Sequence, residues 1–125
     1  MEAFILKHMN NKIIFVFGSN TEGRHGAGAA KYAKQHYGAI YGQPKGLQGS
    51  SYAIITKDLS KGYRSIPLEF IHEQIKQFIE FAKNNPDKIF QVTPIGCGLA
   101  GFKPEEIKPF FNNITNNIIL PNEFK

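Results

Sequence analysis

The stretch Ile13-Ile14-Phe15-Val16-Phe17 is apolar without a break and consists of β-branched and aromatic residues. A strand with one wet face would alternate, so a run apolar on both faces reads as a strand buried in the middle of a sheet. Gly18 closes the run, and the segment from Gly18 to Gly28 holds four glycines and reads as a loop. From about Gly26 the chain turns Ala-rich and helical through Ala27, Ala29, Ala30, Tyr32 and Ala33. Gly38 ends it as a suitable residue just past a helix.

The alternation then continues. Residues 38–51 are glycine-rich, contain one proline and show little periodicity, so they are expected to form a long loop. Tyr52-Ala53-Ile54-Ile55 is a second strand of the buried type, followed by a polar connection from Lys57 to Pro67. Pro67 suits the first turn of a helix and Glu69 complements its positive end. That helix reaches about Asn84, with Phe70, Ile71, Ile75, Phe78, Ile79 and Ala82 forming a core-facing stripe. Ile89-Phe90-Gln91-Val92 is a third strand and Gly96 to Gly101 a second glycine-rich loop. Pro104-Glu105-Glu106 opens a short helix with Ile107 and Phe110, and Ile118-Ile119-Leu120 is a closing strand. Phe4-Ile5-Leu6 is a further short apolar run, closed by Asn10-Asn11. Strands alternating with helices imply an α/β fold with a largely parallel sheet covered on both faces. In such sheets a ligand sits beyond the carboxyl ends of the strands, and both glycine-rich loops follow strands.

Size and composition bound the rest. A length of 125 residues fits one domain, and 42% apolar residues with 11 Phe can fill one core. The formal charge of +5 favours anionic ligands without naming one. A single cysteine, Cys97, forms no internal disulfide, which suits a reducing cytoplasm. Met1 to Met9 lacks the apolar run of a signal peptide, and no segment approaches a spanning helix, so a cytoplasmic protein without membrane contact is expected. His8, His25, His36 and His72 are scattered and give no zinc-ligand spacing, so neither a metal nor a cofactor is expected.

The chemistry concentrates in the two loops. Gly18-Ser19-Asn20 through Gly26-Ala27-Gly28 joins a buried strand to a helix start. Free N–H groups there, aided by the helix dipole, would cradle a diphosphate. The alternative is a tight turn that needs glycine for conformation alone. No Gly-Lys-Ser/Thr follows, so it is not a Walker loop. Asn20 is placed to hydrogen-bond a ribose or base edge. Ile95-Gly96-Cys97-Gly98-Leu99-Ala100-Gly101-Phe102 repeats the design at another strand end, so two loops could grip one diphosphate from opposite sides. Tyr41, Tyr52 and Tyr63 could each stack on a base or pack in the protein. Cys97 reads as a small buried side chain.

Three motifs in order resemble the macrodomain superfamily, in the branch of the terminal ADP-ribose protein glycohydrolase and the DNA ADP-ribosyl glycohydrolase antitoxins. Asn20-Thr21-x-Gly23-x-x-Gly26-x-Gly28-x-Ala30 is similar to that branch's first ligand loop. Ile55-Thr56-Lys57 is similar to the strand end carrying its active-site lysine, and Ile95-Gly96-Cys97-Gly98 through Gly101 to its phosphate-binding loop. The resemblance spans about Ile13 to Phe111. It implies a three-layer α/β/α sandwich with a mixed, largely parallel central sheet, and ADP-ribose or an ADP-ribosylated macromolecule as partner. Carried over by position, Lys57 would attack the ribose anomeric carbon and Asn20 would contact the adjoining ribose. Ser19, Gly26, Ala27, Gly28 and Thr56, with Gly96, Cys97, Gly98, Leu99, Ala100, Gly101 and Phe102, would line the ligand. Protein-directed members place an acid where this chain has Ala100, so the two-residue mechanism of those members is incomplete here, and the chain stands nearer the DNA-directed members, which also lack that acid. His25, beside the first loop, is a candidate substitute acid or base. The expected activity is removal of ADP-ribose from nucleic acid first and protein second. The competing expectations are a non-catalytic binder of free ADP-ribose or another NAD-derived nucleotide, and a basic nucleic-acid-binding protein with purely structural glycine loops.

Overall fold

In a computed structural model the described residues are 13–125, so the Phe4–Leu6 run and the reading of Met1–Met9 lie outside them. The chain runs β1 (Ile13–Asn20), α1 (Gly28–His36), β2 (Gly46–Gln48), β3 (Ser51–Lys57), α2 (Leu68–Lys83) and β4 (Ile89–Val92). It continues through α3 (Pro104–Ile107), a 3₁₀ turn (Lys108–Phe110), β5 (Ile118–Ile119) and a last 3₁₀ turn (Asn122–Phe124). The five strands form one mixed sheet in the order β2-β3-β1-β4-β5. β1 pairs in parallel with β3 and β4, β4 with β5 likewise, and β2 alone runs antiparallel, against β3. The order of apolar runs implied an α/β fold with a largely parallel sheet, and the sheet is that, mixed only through β2.

Side-chain alternation along β1 divides the core into two layers. Ile14 and Val16 join Tyr52 and Ile54 against Ile71, Ile75, Phe78 and Ala82 of α2. Phe15 and Phe17 project from the opposite face, with Ala53, onto Ala30 and Ala33 of α1. The two faces are packed differently. Large residues meet large ones under α2, where Phe78 and Phe90 make an edge-to-face contact at 5.5 Å. Over α1 the sheet supplies the phenyl rings and the helix supplies alanines, so α1 lies close against the central strand. Tyr37, just after the helix, stacks on Phe15 at 4.8 Å.

One expectation changes. The long loop of residues 38–51 contains β2, a three-residue edge strand whose register sets Gly46 opposite Ala53 and Gln48 opposite Ser51. Three residues are too few to show a period of two, so the strand left no pattern to read. Its turn is backed onto the end of α1, where Ser50 N–H donates to the Tyr37 carbonyl at 2.8 Å. Gly49 has φ +59°, and a Cβ there would stand 2.6 Å from the Gly38 carbonyl oxygen, so the approach needs glycine.

β2 covers only Ser51–Ala53, and Gln74 of α2 takes over further along the same strand. Its Oε1 accepts the Ile55 N–H at 2.8 Å and its Nε2 donates to the Ile55 carbonyl at 2.8 Å. A buried side-chain amide thus stands in for a missing strand, satisfying both backbone groups of one residue.

Candidate functional site

The carboxyl ends of β1, β3 and β4 lie side by side, and the connections leaving them pass to α1 on one face and to α2 and α3 on the other. A crevice forms where adjacent connections diverge in this way. A cavity of about 550 Å³ occupies that position. Pockets for small ligands commonly measure about 300–1,000 Å³.

Three local devices shape its floor. In the first, β1 and β3 fall out of step: Ser19 lies opposite Ile55 but Asn20 opposite Lys57, so Thr56 is the extra residue of a bulge. Bulges re-aim side chains at the rim of a sheet. Buried Thr56 donates from its hydroxyl to the Ser19 carbonyl at 3.3 Å, and both residues line the cavity together with half-buried Lys57.

In the second, the Asn20 side chain builds the first loop. Its Oδ1 accepts the N–H groups of Glu22 at 3.3 Å and Arg24 at 2.9 Å, while Nδ2 donates to the Arg24 carbonyl at 2.9 Å. This is an Asx-type turn, in which a short polar side chain replaces backbone bonding. Asn20 lines the cavity, with one Nδ2 hydrogen left for a ligand.

The third device is the start of α1. Ala27 holds the N-cap position with extended backbone and no side-chain cap, and the first turn contains no acid. Helix geometry leaves the first N–H groups without intrahelical partners, and the Lys31 N–H is the first to bond back, to the Ala27 carbonyl at 3.2 Å. Gly28, Ala29 and Ala30 therefore present open donors, and these residues line the cavity with Gly26 and Ala27.

The second glycine-rich loop meets the same cavity from the β4 side. It is folded by its own backbone: Cys97 N–H donates to the Pro94 carbonyl, Gly101 N–H to Gly98 and Phe102 N–H to Gly96, at 3.1, 3.0 and 2.8 Å. The N–H groups of Gly98, Leu99 and Ala100 have no hydrogen-bond partner among the described residues, and all three residues line the cavity with Gly96. Two sets of open amides therefore border one space. Arg24 and Lys57 add positive charge, and among the described lining residues none is Asp or Glu.

Four residues named from the sequence stand away from the lining. His25 is 1% exposed, edge-on to the Phe17 ring, with Nε2 at 3.1 Å from the Gln43 carbonyl and 3.2 Å from Gln48 Oε1. Both neighbours are acceptors, so Nε2 carries a hydrogen, and Nδ1 has no hydrogen-bond partner among the described residues. The ring ties the first loop to the segment before β2, and it does not border the cavity as an acid or base would have to. Cys97 is half-buried and also outside the lining. Burial, followed by the charges of Glu123, Glu105 and Glu106, pushes its thiol up to about 11, so it is a thiol rather than a thiolate at neutral pH. Phe102 is buried in the core, and Gly101 lies under the Tyr63 ring.

Of the three tyrosines weighed as stacking platforms, Tyr52 is core and Tyr63 covers Gly101. Tyr41 lines the cavity, 55% exposed, with the Lys34 amine 5.0 Å above its ring. Arg24, Leu59, Thr93 and Pro94 also line the space, although the sequence gives none of them a role toward a ligand. Arg24 was visible as the one cation inside the first glycine-rich motif, whereas nothing in sequence marks Leu59. Among the described residues no three His, Cys, Asp or Glu side chains gather to hold a metal ion, and no helix is long and apolar enough to cross a membrane. Set against known proteins, the chain matches no family model, no curated protein and no solved structure.

Proposed function

We propose that the cleft binds ADP-ribose or an ADP-ribosyl group and that Lys57 removes that group from a macromolecule, as the resemblance to macrodomains implies. The observation that carries the binding half is the pair of open amide sets, at Gly28–Ala30 and Gly98–Ala100, bordering one cavity with Lys57 and with Arg24, itself paired to Glu22 at 3.3 Å, and with no carboxylate among the described lining residues. Converging N–H groups at a helix start suit a pyrophosphate. Tyr41 offers an exposed ring for the base, and Asn20 a free amide hydrogen for a ribose hydroxyl.

In the hydrolytic reading the Lys57 nitrogen attacks the anomeric carbon as the bond from that carbon to the macromolecule breaks. The departing group takes up the proton that the Lys57 ammonium must shed to become a nucleophile, and water then adds to the anomeric carbon as its bond to the Lys57 nitrogen breaks, freeing ADP-ribose and the amine. Nucleic acid carrying ADP-ribose is the first candidate substrate and modified protein the second. Lys57→Ala is expected to abolish release of ADP-ribose while leaving calorimetric affinity for free ADP-ribose largely intact. Equal turnover by variant and parent would defeat this reading.

One observation favours a second reading. No described residue lining the cavity is Asp or Glu, and by the resemblance Ala100 stands where protein-directed macrodomains place an acid, so no carboxylic acid among the described lining residues hands a proton to a departing group. The cleft would then hold free ADP-ribose or another NAD-derived nucleotide as a sensor. Tight binding by the parent chain, with no turnover of any ADP-ribosylated nucleic acid or protein, would decide for the binder.

A further inference from the structure

The connection between β3 and α2 is a plain polar link in sequence, yet Arg64 within it is the most heavily engaged cation among the described residues. Its N–H donates to the Ala100 carbonyl at 2.7 Å and its Nη1 to the Gly101 carbonyl at 3.3 Å. The same guanidinium forms a two-pronged pair with Glu106 at 2.7 Å on each arm, and lies 4.9 Å over the Phe102 ring. Glu106 in turn accepts the Lys103 N–H at 3.0 Å, closing the start of α3. The neighbouring Tyr63 ring covers Gly101 so closely that a Cβ there would collide with it.

Arg64 also sits at φ +48°, a left-handed conformation that costs a residue with a Cβ free energy. Such strain persists where surrounding contacts over-determine it, and it collects at ligand clamps. The contacts here converge on one object. Every partner of Arg64 belongs to the segment Ala100–Glu106, which begins where the open amides of Gly98–Ala100 end.

We propose that Arg64 is a positioning residue for the cleft: the strap from Asp58 to Ile66 clamps the second glycine-rich loop, and Arg64 holds its free amides aimed at the ligand's phosphates. The role rests on the reading of the cleft as a pyrophosphate site. Arg64 does not line the cavity, so it acts through the loop and not by touching the ligand. Its charge is already committed to Glu106, which makes the clamp a fixed part of the site rather than a spare cation. Lysine cannot replace it, because a single ammonium cannot span both carboxylate oxygens and stack on Phe102 at once.

The test combines hydrogen exchange of the ligand-free protein with ADP-ribose calorimetry, on the parent and on Arg64→Ala, Arg64→Lys and Glu106→Gln. The inference expects Arg64→Ala to speed amide exchange in residues 96–102 while exchange in β1 and α2 stays as in the parent. It expects ADP-ribose affinity to fall about tenfold, a size usual for coupling through a neighbouring element. Arg64→Lys should restore little of either, and Glu106→Gln should show the same loss in milder form. Unchanged exchange in residues 96–102, or affinity within twofold of the parent, would overturn the inference. So would exchange raised equally throughout the sheet, the mark of a residue that merely supports the fold. If the parent itself gives no heat with ADP-ribose, the pyrophosphate reading of the cleft fails and takes the positioning role with it. Faster exchange confined to the loop would in that case show the clamp alone to be real.

Discussion

Single side chains in this protein do work that backbone usually does. Gln74 replaces a strand beside Ile55, Asn20 folds the loop after β1, and His25 stitches that loop to the segment before β2. Gln74→Leu keeps the volume but strands the part-buried Ile55 N–H and carbonyl, so stability should fall by about 1–3 kcal/mol in denaturant unfolding. An unchanged midpoint would mean that water reaches the Ile55 backbone. Gln74 was open to discovery in the sequence, because it sits among Ile71, Ile75 and Phe78 on the apolar stripe of α2, where a polar residue needs a partner. His25 was not. A histidine inside a glycine-rich motif reads equally as a loop donor or an acid, and only the position of Gln43 and Gln48 around it separates the two.

Among elements, α1 bears most directly on the proposed function because its start lacks a side-chain cap. Helices usually place Ser, Thr, Asp or Asn there, and this one places Ala27. Ala27→Asp should therefore stabilise the free protein, by about 0.5–2 kcal/mol. It should also weaken ADP-ribose binding, because the new carboxylate would occupy the same N–H groups and repel phosphate. Stability and affinity moving in opposite directions is the signature, read by thermal unfolding and calorimetry on one preparation. The long elements were legible in the sequence: β1, β3, β4 and α2 follow from unbroken apolar runs and a 3-to-4-residue stripe. β2 was hidden by its brevity, and the strap from Asp58 to Ile66 by its polar composition. Its contacts are with residues some 40 positions away, and local patterns carry no trace of such pairings.

For the whole molecule, the clamp makes stability depend on acid. The Arg64 guanidinium, helped by the Lys103 N–H, lowers the Glu106 carboxyl to about 2 from an ordinary 4.5. A carboxyl held low contributes stability at every pH above its unfolded value, and the contribution fades as pH falls through about 2. Glu106→Gln should thus be less stable than the parent near neutrality, and the gap should close in strong acid. A gap that is independent of pH would mean the pair matters through packing alone. Parallel strands whose connections diverge to opposite faces made a cleft at their carboxyl ends predictable from element order. Which residues border it was less so, because the bulge at Thr56 and the buried side of the second loop arise only from register and packing.

The central claim is that the amides at the start of α1 and those of the second glycine-rich loop hold one ligand between them. An amide-resolved NMR titration with ADP-ribose tests it most directly. Signals of Gly28–Ala30 and of Gly98–Ala100 should move together and saturate along a single one-to-one curve. Movement of one set without the other, or of neither, would contradict the account.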